Sequence, residues 1–404
     1  MSTTLELDVY GTLVVASLVL LTGRMLVHKV RLLQNYSIPE PVAGGLLVAL
    51  GLFALYAASS VQIRFDTSLS APLMLTFFAC IGLNADLVSL RQGGRQLLVF
   101  LGAVLGLLMM QNTLGLLVAK SMGLHPLFGL LAGSISLSGG HGTGAAWGKV
   151  FAEQYGLASA TEMALACATF GLVLGGMIGG PVARSLAKRV DMPQSAGGDA
   201  DHLSTFEQPD TVRLITAPAL IETLALIAVC LLGGQAIAAW LKGSVLELPS
   251  FVCVLFVGVI LRNGLVALGW YEVFERAVSV LGNVALSLFL AMALMSLRLW
   301  ELAALALPML VLLGCQTVLM ASYARFVTFR VMGGTYDAAV IAAGHCGFGL
   351  GATPTAIANM QAVTDRYGPS HLAFLVVPMV GAFFIDIANA MVIKLFMAIP
   401  IFSG

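Results

Sequence analysis

The sequence predicts an all-α polytopic membrane protein built as two inverted repeats, each of five transmembrane helices and one re-entrant glycine-rich loop. Three observations predict it. The 404 residues are 59% apolar and 10% charged, against about 25% charged in soluble domains, and mean hydropathy is +0.96. The apolar residues gather into runs near or above the roughly 20 residues needed to cross a hydrocarbon core. Two glycine-rich stretches interrupt that pattern at matching places in the two halves.

The predicted spans are 8–28, 41–58, 71–90, 96–119 and 158–187, then 214–241, 249–268, 277–297, 301–329 and 370–399. The longest requires tilt. Residues 1–187 form the first repeat, with its loop near 126–149, and residues 214–404 the second, with its loop near 336–360. Between them, 188–213 is rich in Gly, Pro and Asp and reads as a cytoplasmic linker without a motif. The first apolar run lacks a basic leader and continues into Arg24, so no cleavable signal peptide is expected. The six cysteines lie in apolar or glycine-rich segments without a CxxC pair and read as small core residues. Net charge is zero, which gives no reason to expect nucleic acid as a partner; membrane lipids are the expected surroundings.

The halves align by eye. Pro39 falls on Pro249, Gln111 on Gln316, Gly140-His141-Gly142 on Gly344 to Gly347, and Tyr155-Gly156 on Tyr367-Gly368. Five spans per half is an odd number, so the second half must insert upside down, the plan of many secondary transporters. With the N-terminus outside, only Arg64, Lys120, Lys149, Lys242, Arg298 and Lys394 of the basic residues fall outside. The positive-inside bias therefore places both termini outside and the linker in the cytoplasm. The first loop then enters from outside and the second from inside.

In the first stretch, Gly139, Gly140, Gly142 and Gly144 crowd into six residues. Each costs roughly 1 kcal/mol in a helix relative to alanine, so continuous helix is not expected. Irregular backbone at membrane depth survives where protein or a water-filled cavity surrounds it, and glycine lets a ligand approach the main chain. Candidate substrate contacts are Ser136, Ser138, Gly139, Gly140, His141, Gly142 and Thr143. The second stretch adds His345, Gly347, Gly349, Thr353, Thr355 and Asn359. Pro354 before an apolar run predicts a half-helix capped by Thr353, whose N-terminus favours an anion. His141 and His345 have two readings, as hydrogen-bonders that lock the stretches or as ligand or proton contacts. The glycines would only permit tight helix packing if either stretch stood alone; two matched stretches favour a binding site.

A charge at a helix centre costs about 2.5–3.5 kcal/mol on the insertion scale. Asp386 sits mid-span with Asn389 three residues on, on the same face. The pair is a candidate for cation coordination or for holding a substrate ammonium, against a packed interhelical hydrogen bond. Glu162 shares a face with Thr169 and is either a site carboxylate or an acid favoured by its helix's first turn. Glu222, beside Thr223, reads as structural. No Arg or Lys sits mid-span. An anionic substrate would then be held by main-chain N–H groups, hydroxyls and co-bound cations, which predicts cation coupling.

At SLSGGHGTGAAW (Ser136 to Trp147) and AAGHCGFGLGATPTAIANMQ (Ala342 to Gln361), the sequence resembles the bacterial sodium/glutamate symporter family. The likeness extends to YSIPEPVAGGLLVAL, ELPSFVCVLFVGVIL and FLVVPMVGAFFIDIANA, and so covers the chain apart from the linker. The resemblance implies sodium-coupled import of glutamate across the inner membrane by a homodimer with ten spans and two re-entrant loops. Sodium is then the coupling ion, expected near Asp386, and no other cofactor is implied. It also implies an elevator-like division, with the loops and last spans moving against a scaffold. The family's loop residues map onto Ser138 to Thr143 and onto Gly344 to Asn359.

Symport of another small carboxylate, such as a hydroxycarboxylate, stays open on composition. A channel would favour a symmetric pore lined by rings of residues. An intramembrane enzyme is disfavoured, because neither a GxSxG elbow nor HExxH occurs. Nucleotide-driven transport lacks the GxxxxGK[ST] loop.

Overall fold

A computed structural model of the chain describes residues 3–35, 38–59, 61–87, 94–187, 214–244, 248–296 and 305–398. The predicted linker at 188–213 lies outside them. Helices occupy all ten predicted span positions. The first half holds α1 (Val9–Lys29), α2 (Arg31–Asn35), α3 (Glu40–Ser59), α4 (Ser70–Asn84), α5 (Gly94–Ser121), α6 (Pro126–Leu130), α7 (Gly140–Tyr155) and α8 (Ala160–Ala187). The second holds α9 (Ala217–Leu241), α10 (Ser250–Ala267), α11 (Glu275–Met295), α12 (Ala306–Tyr323), α13 (Phe329–Val331), α14 (Tyr336–Leu350), α15 (Thr353–Tyr367), α16 (His371–Met379) and α17 (Ile385–Met397). Among the described residues, seven helices are long and apolar enough to cross a membrane by length and composition. Within the predicted span 71–90, α4 ends at Asn84, where Ala85 takes an extended conformation; residues 88–90 lie outside the described ones.

One element departs from the all-α expectation. Strands β1 (Thr3–Leu7) and β2 (Val61–Phe65) pair in parallel, Leu5 opposite Ile63. The antiparallel return of α1 and α3 explains them: it brings the two short segments leading into α1 and α4 to one face, running the same way. Each strand hands over to a helix through a polar turn. Asp8 caps α1 by accepting from the Gly11 N–H at 2.8 Å. Before α4, the Ser68 N–H donates to the Asp66 carboxylate at 2.8 Å, which holds that carboxyl below its ordinary range.

The helices sort into two bodies. The first comprises α1, α3, α4, α9, α10 and α11, with α4 packed on both α10 and α11 and α1 on α3. Small residues set its spacing: a Cβ on Gly82 of α4 would lie 2.9 Å from the Gly258 Cα of α10, so only glycine lets these backbones approach. The second body comprises α5 to α8, α12 and α14 to α17, with α8 packed against α7, α14 and α15. The bodies meet along an apolar seam where α7 and α8 touch α11 and α17 touches α10. There the Trp147 ring of α7 stands edge-on to Phe251 of α10, 5.4 Å between centroids.

Candidate functional site

The second body contains two interrupted helix pairs, and the sequence explains each interruption. In the first pair, α6 continues into a widened π turn (Leu131–Ile135), within which Gly133 leaves helical geometry at φ −97°, ψ −138°. That rotation turns the Ser134 N–H toward α5. The N–H donates to Asn112 Oδ1 at 3.0 Å, and the Ser134 carbonyl accepts from Asn389 Nδ2 at 2.9 Å. The chain turns through Ser138 and Gly139 and restarts as α7 at Gly140, whose φ is +69°. In the second pair, α14 stops at Leu350, and α15 begins at Thr353 with Pro354 in its first turn. The second helices of both pairs end alike: Tyr155 and Tyr367 are each followed by a positive-φ glycine, Gly156 and Gly368.

Two expectations need correction. The glycine-rich stretches are mostly helical, because Gly142 and Gly144 lie inside α7 and Gly347 and Gly349 inside α14. Tertiary packing overrides their poor propensity: a Cβ on Gly347 would lie 2.5 Å from the Ala356 main chain of α15. Thr353 also does not cap α15. The cap position is Ala352, and the Thr353 hydroxyl instead donates to the Gly381 carbonyl at 2.8 Å. That carbonyl belongs to a π turn (Val380–Phe384) just after Pro378, so the last predicted span widens locally in mid-course while staying helical.

The tips of the two pairs meet in the core. The Ser138 hydroxyl donates to Gln111 Oε1 at 2.7 Å and stands 3.2 Å from the Gly349 carbonyl. Gln111 Nε2 donates to the same carbonyl at 2.7 Å. Gln316 Nε2 donates to the Gln111 main-chain oxygen, also at 2.7 Å. Asp386 is half-buried on α17, its Oδ1 3.5 Å from the Thr143 hydroxyl of α7. Asp386 and Asn389 therefore face the first interruption, across the chain from the second that precedes them in sequence. Ser134, Ser136, Thr355 and Asn389 also bury side-chain oxygens that lack a hydrogen-bond partner within the protein.

Other predicted residues are placed differently. His141 Nε2 lies 3.0 Å from the Thr169 hydroxyl, which itself donates to the Leu165 carbonyl. Thr169 has one proton to give, so His141 is the donor and carries its hydrogen on Nε2. Glu162 is buried in the first turn of α8. His345 is taken up by Thr328 at 2.9 Å and by the rings of Phe100, Tyr323 and Phe348, not by the tip. Asn359 ties α15 to the carbonyls of Gly175 and Ala343, at 2.9 and 3.3 Å. Glu222 accepts from the Tyr271 hydroxyl at 2.6 Å, in the first body.

Chemically, the arrangement offers hydroxyls, amides, carbonyls, helix N-termini and one carboxylate. Among the described residues no cluster of three His, Cys, Asp or Glu could hold a metal ion. Oxygen donors with a single formal charge suit a hard cation of low charge better than a transition metal.

The sodium/glutamate symporter family model matches residues 5–369. The chain is 66% identical over 399 residues to a sodium/glutamate symporter of Escherichia coli (strain K12), spanning 99% of this chain and 100% of that one. The chain belongs to the sodium/glutamate symporter family. A sodium/glutamate symporter of Shigella flexneri matches to the same extent. One of Haemophilus influenzae is 54% identical over 392 residues, covering 96% of this chain and 97% of the relative. As a symporter-family chain it is a transporter and not an enzyme.

Within this family member, sequence reading missed Gln111, Asn112, Ser134 and Gln316 as parts of the site. A signal existed. Gln111-Asn112 and Gln316 are amides in the middle of apolar spans, where each polar group needs a partner, and Gln111 aligns with Gln316 across the two halves.

Proposed function

We propose that the chain imports glutamate with sodium across the bacterial inner membrane as a secondary symporter. The observation that carries this reading is the likeness to sodium/glutamate symporters over 99% of the chain. The site's chemistry supports it. Main-chain N–H groups at the start of α15 and the hydroxyls of Ser136, Thr143 and Thr355 suit a carboxylate, and helix N-termini favour negative charge. Sodium beside Asp386, with Asn389 and Thr143 as further oxygen donors, would supply the positive charge that no mid-span Arg or Lys provides. His141, Thr169, His345 and Asn359 act in this reading as the braces of the two tips.

The interrupted pairs are then the re-entrant loops of two inverted repeats, the first open to the outside and the second to the inside, with both termini periplasmic. The division into two bodies across an apolar seam supports alternating access of an elevator kind. In it, the body bearing both tips slides against the other, in a homodimer. Each net positive charge entering per cycle down 100 mV supplies about 2.3 kcal/mol before any concentration term. One sodium only offsets the charge of the glutamate anion, so electrical accumulation needs a further cation.

Purified protein in proteoliposomes tests the reading. An inward sodium gradient should concentrate labelled glutamate, with counterflow, and collapsing the gradient should abolish accumulation. Accumulation undiminished without any sodium or proton gradient would sink the coupled mechanism; equilibration without accumulation or counterflow would indicate a channel. Symport of another small carboxylate is the second reading, favoured by a site without a cationic side chain. A competition panel in which a hydroxycarboxylate outcompetes glutamate would establish it.

A further inference from the structure

We propose that Gln111 is a positioning residue that joins the two interrupted helix pairs into one unit, so that their tips travel together rather than opening as separate gates. The inference rests in part on the reading above, in that both tips are taken to serve the transported solute.

Gln111 lies on α5, outside either pair, and is completely buried. Its side chain is engaged at both ends, by opposite kinds of group. Oε1 accepts from the Ser138 hydroxyl at the first tip, and Nε2 donates to the Gly349 carbonyl at the second. Ser138 also reaches Gly349 directly, so three groups from three segments close on one another. The backbone beneath Gln111 is fixed too, because its main-chain oxygen accepts from the equally buried Gln316 of α12. Gly349 is wedged in place: a Cβ there would lie 2.8 Å from Met320 Sδ of α12 and 3.0 Å from Leu107 Cδ2 of α5. Only a side chain with a donor and an acceptor at this reach completes the bridge. Glutamate keeps the acceptor and loses the donor, asparagine is one methylene short, and leucine has the volume but neither function.

Hydrogen–deuterium exchange on the full chain in detergent tests the bridge independently of solute. In Gln111→Leu, segments 134–143 and 347–353 should both exchange faster, by about fivefold or more, while α4 and α10 stay at the parent's rate. A change confined to one tip, no change, or a rise throughout both bodies would overturn the proposal, the last marking a merely structural residue. Gln111→Glu should release 347–353 more than 134–143. Should Gln111→Leu fail to reach the membrane, Ser138→Ala decides on the same readout. Segment 134–143 should then exchange faster while 347–353, still held by Gln111 Nε2, stays near the parent's rate; no change at 134–143 would overturn the bridge. In proteoliposomes the KM for glutamate should rise about tenfold, with maximal rate within about twofold of the parent; an unchanged KM counts against the proposal. If the parent itself takes up no glutamate, the functional reading fails, and the exchange pattern still decides the role of Gln111.

Discussion

Asn389 donates through Nδ2 to the Ser134 carbonyl at 2.9 Å, across 255 residues of sequence. Asn112 accepts from the N–H of the same residue. The two peptide groups flanking the Ser134 Cα, next to the twist at Gly133, are thus held by asparagines from α5 and α17. The clamp keeps an interruption from becoming an unsatisfied gap in the membrane interior, where lost hydrogen bonds cost most.

Replacing Asn389 should therefore damage stability in a definite order. Asn389→Ala removes the donor but leaves the Ser134 carbonyl its bond from the Gly139 N–H, so the loss should be about 1–2 kcal/mol. Asn389→Asp should be worse, because a carboxylate oxygen would face the carbonyl oxygen with no proton between them. Thermal unfolding of detergent-solubilised variants measures the order, and an Asp variant as stable as the parent would contradict the clamp.

Asp386 is the half-buried carboxylate that faces Thr143 and the first interruption. Asp386→Asn keeps the shape and removes the charge. The sodium concentration giving half-maximal uptake should rise about tenfold or more, the equivalent of about 1.4 kcal/mol of cation binding, with membrane abundance unaltered. Unchanged sodium dependence in a well-expressed variant removes Asp386 from the cation site.

Gly142 sits where the first tip meets the other body. A Cβ there would lie 2.6 Å from Phe77 Cε1 and 3.2 Å from Leu286 Cδ1. Gly142→Ala should slow uptake about tenfold by jamming this seam, a cost within the usual overpacking range of about 1–3 kcal/mol. Because the obstruction is a side chain, Phe77→Ala in the same protein should restore much of the rate. Additive defects in the double variant would show that the two residues do not oppose each other across the seam.

Helix at the ten predicted positions was legible because apolar runs of this length have few alternatives in water or lipid, and seven of the described helices are long and apolar enough to cross a membrane. The two interruptions were legible from Gly139-Gly140 and from Thr353-Pro354, which disfavour helix locally. Their extent was not. Gly142, Gly347 and Gly349 stay helical because other backbones and side chains press where a Cβ would be, a property of packing that single-residue propensity cannot carry. The same limit hid the partner of Asp386 and Asn389. Sequence order set them beside the second interruption, whereas the long return of α16 and α17 lays them against the first. Gln111 and Gln316 aligned as equivalent positions in the two halves, but only their contact in the core shows that the first reaches both tips. Strands β1 and β2 are five residues each, too short for alternation to announce them.

Neighbouring glycines at the first tip should respond to substitution for different physical reasons. Gly139 has an ordinary helical φ of −84°, yet a Cβ there would lie 2.6 Å from the Ile135 carbonyl and 2.8 Å from both Asn389 Nδ2 and Thr143 Cβ. Gly140 has room, with only the Gly351 carbonyl at 3.7 Å from such a Cβ, but its φ of +69° is left-handed. Alanine at 140 should then cost about 1–2 kcal/mol of backbone strain, and asparagine, which tolerates that region, should cost less. At 139 the order should reverse, because alanine already collides and the larger asparagine displaces the clamp residue. Thermal midpoints of the four single variants read this directly. Asparagine proving better than alanine at both positions would mean that Gly139 is not confined by its neighbours, and the tight packing of the tip against α17 would fall with it.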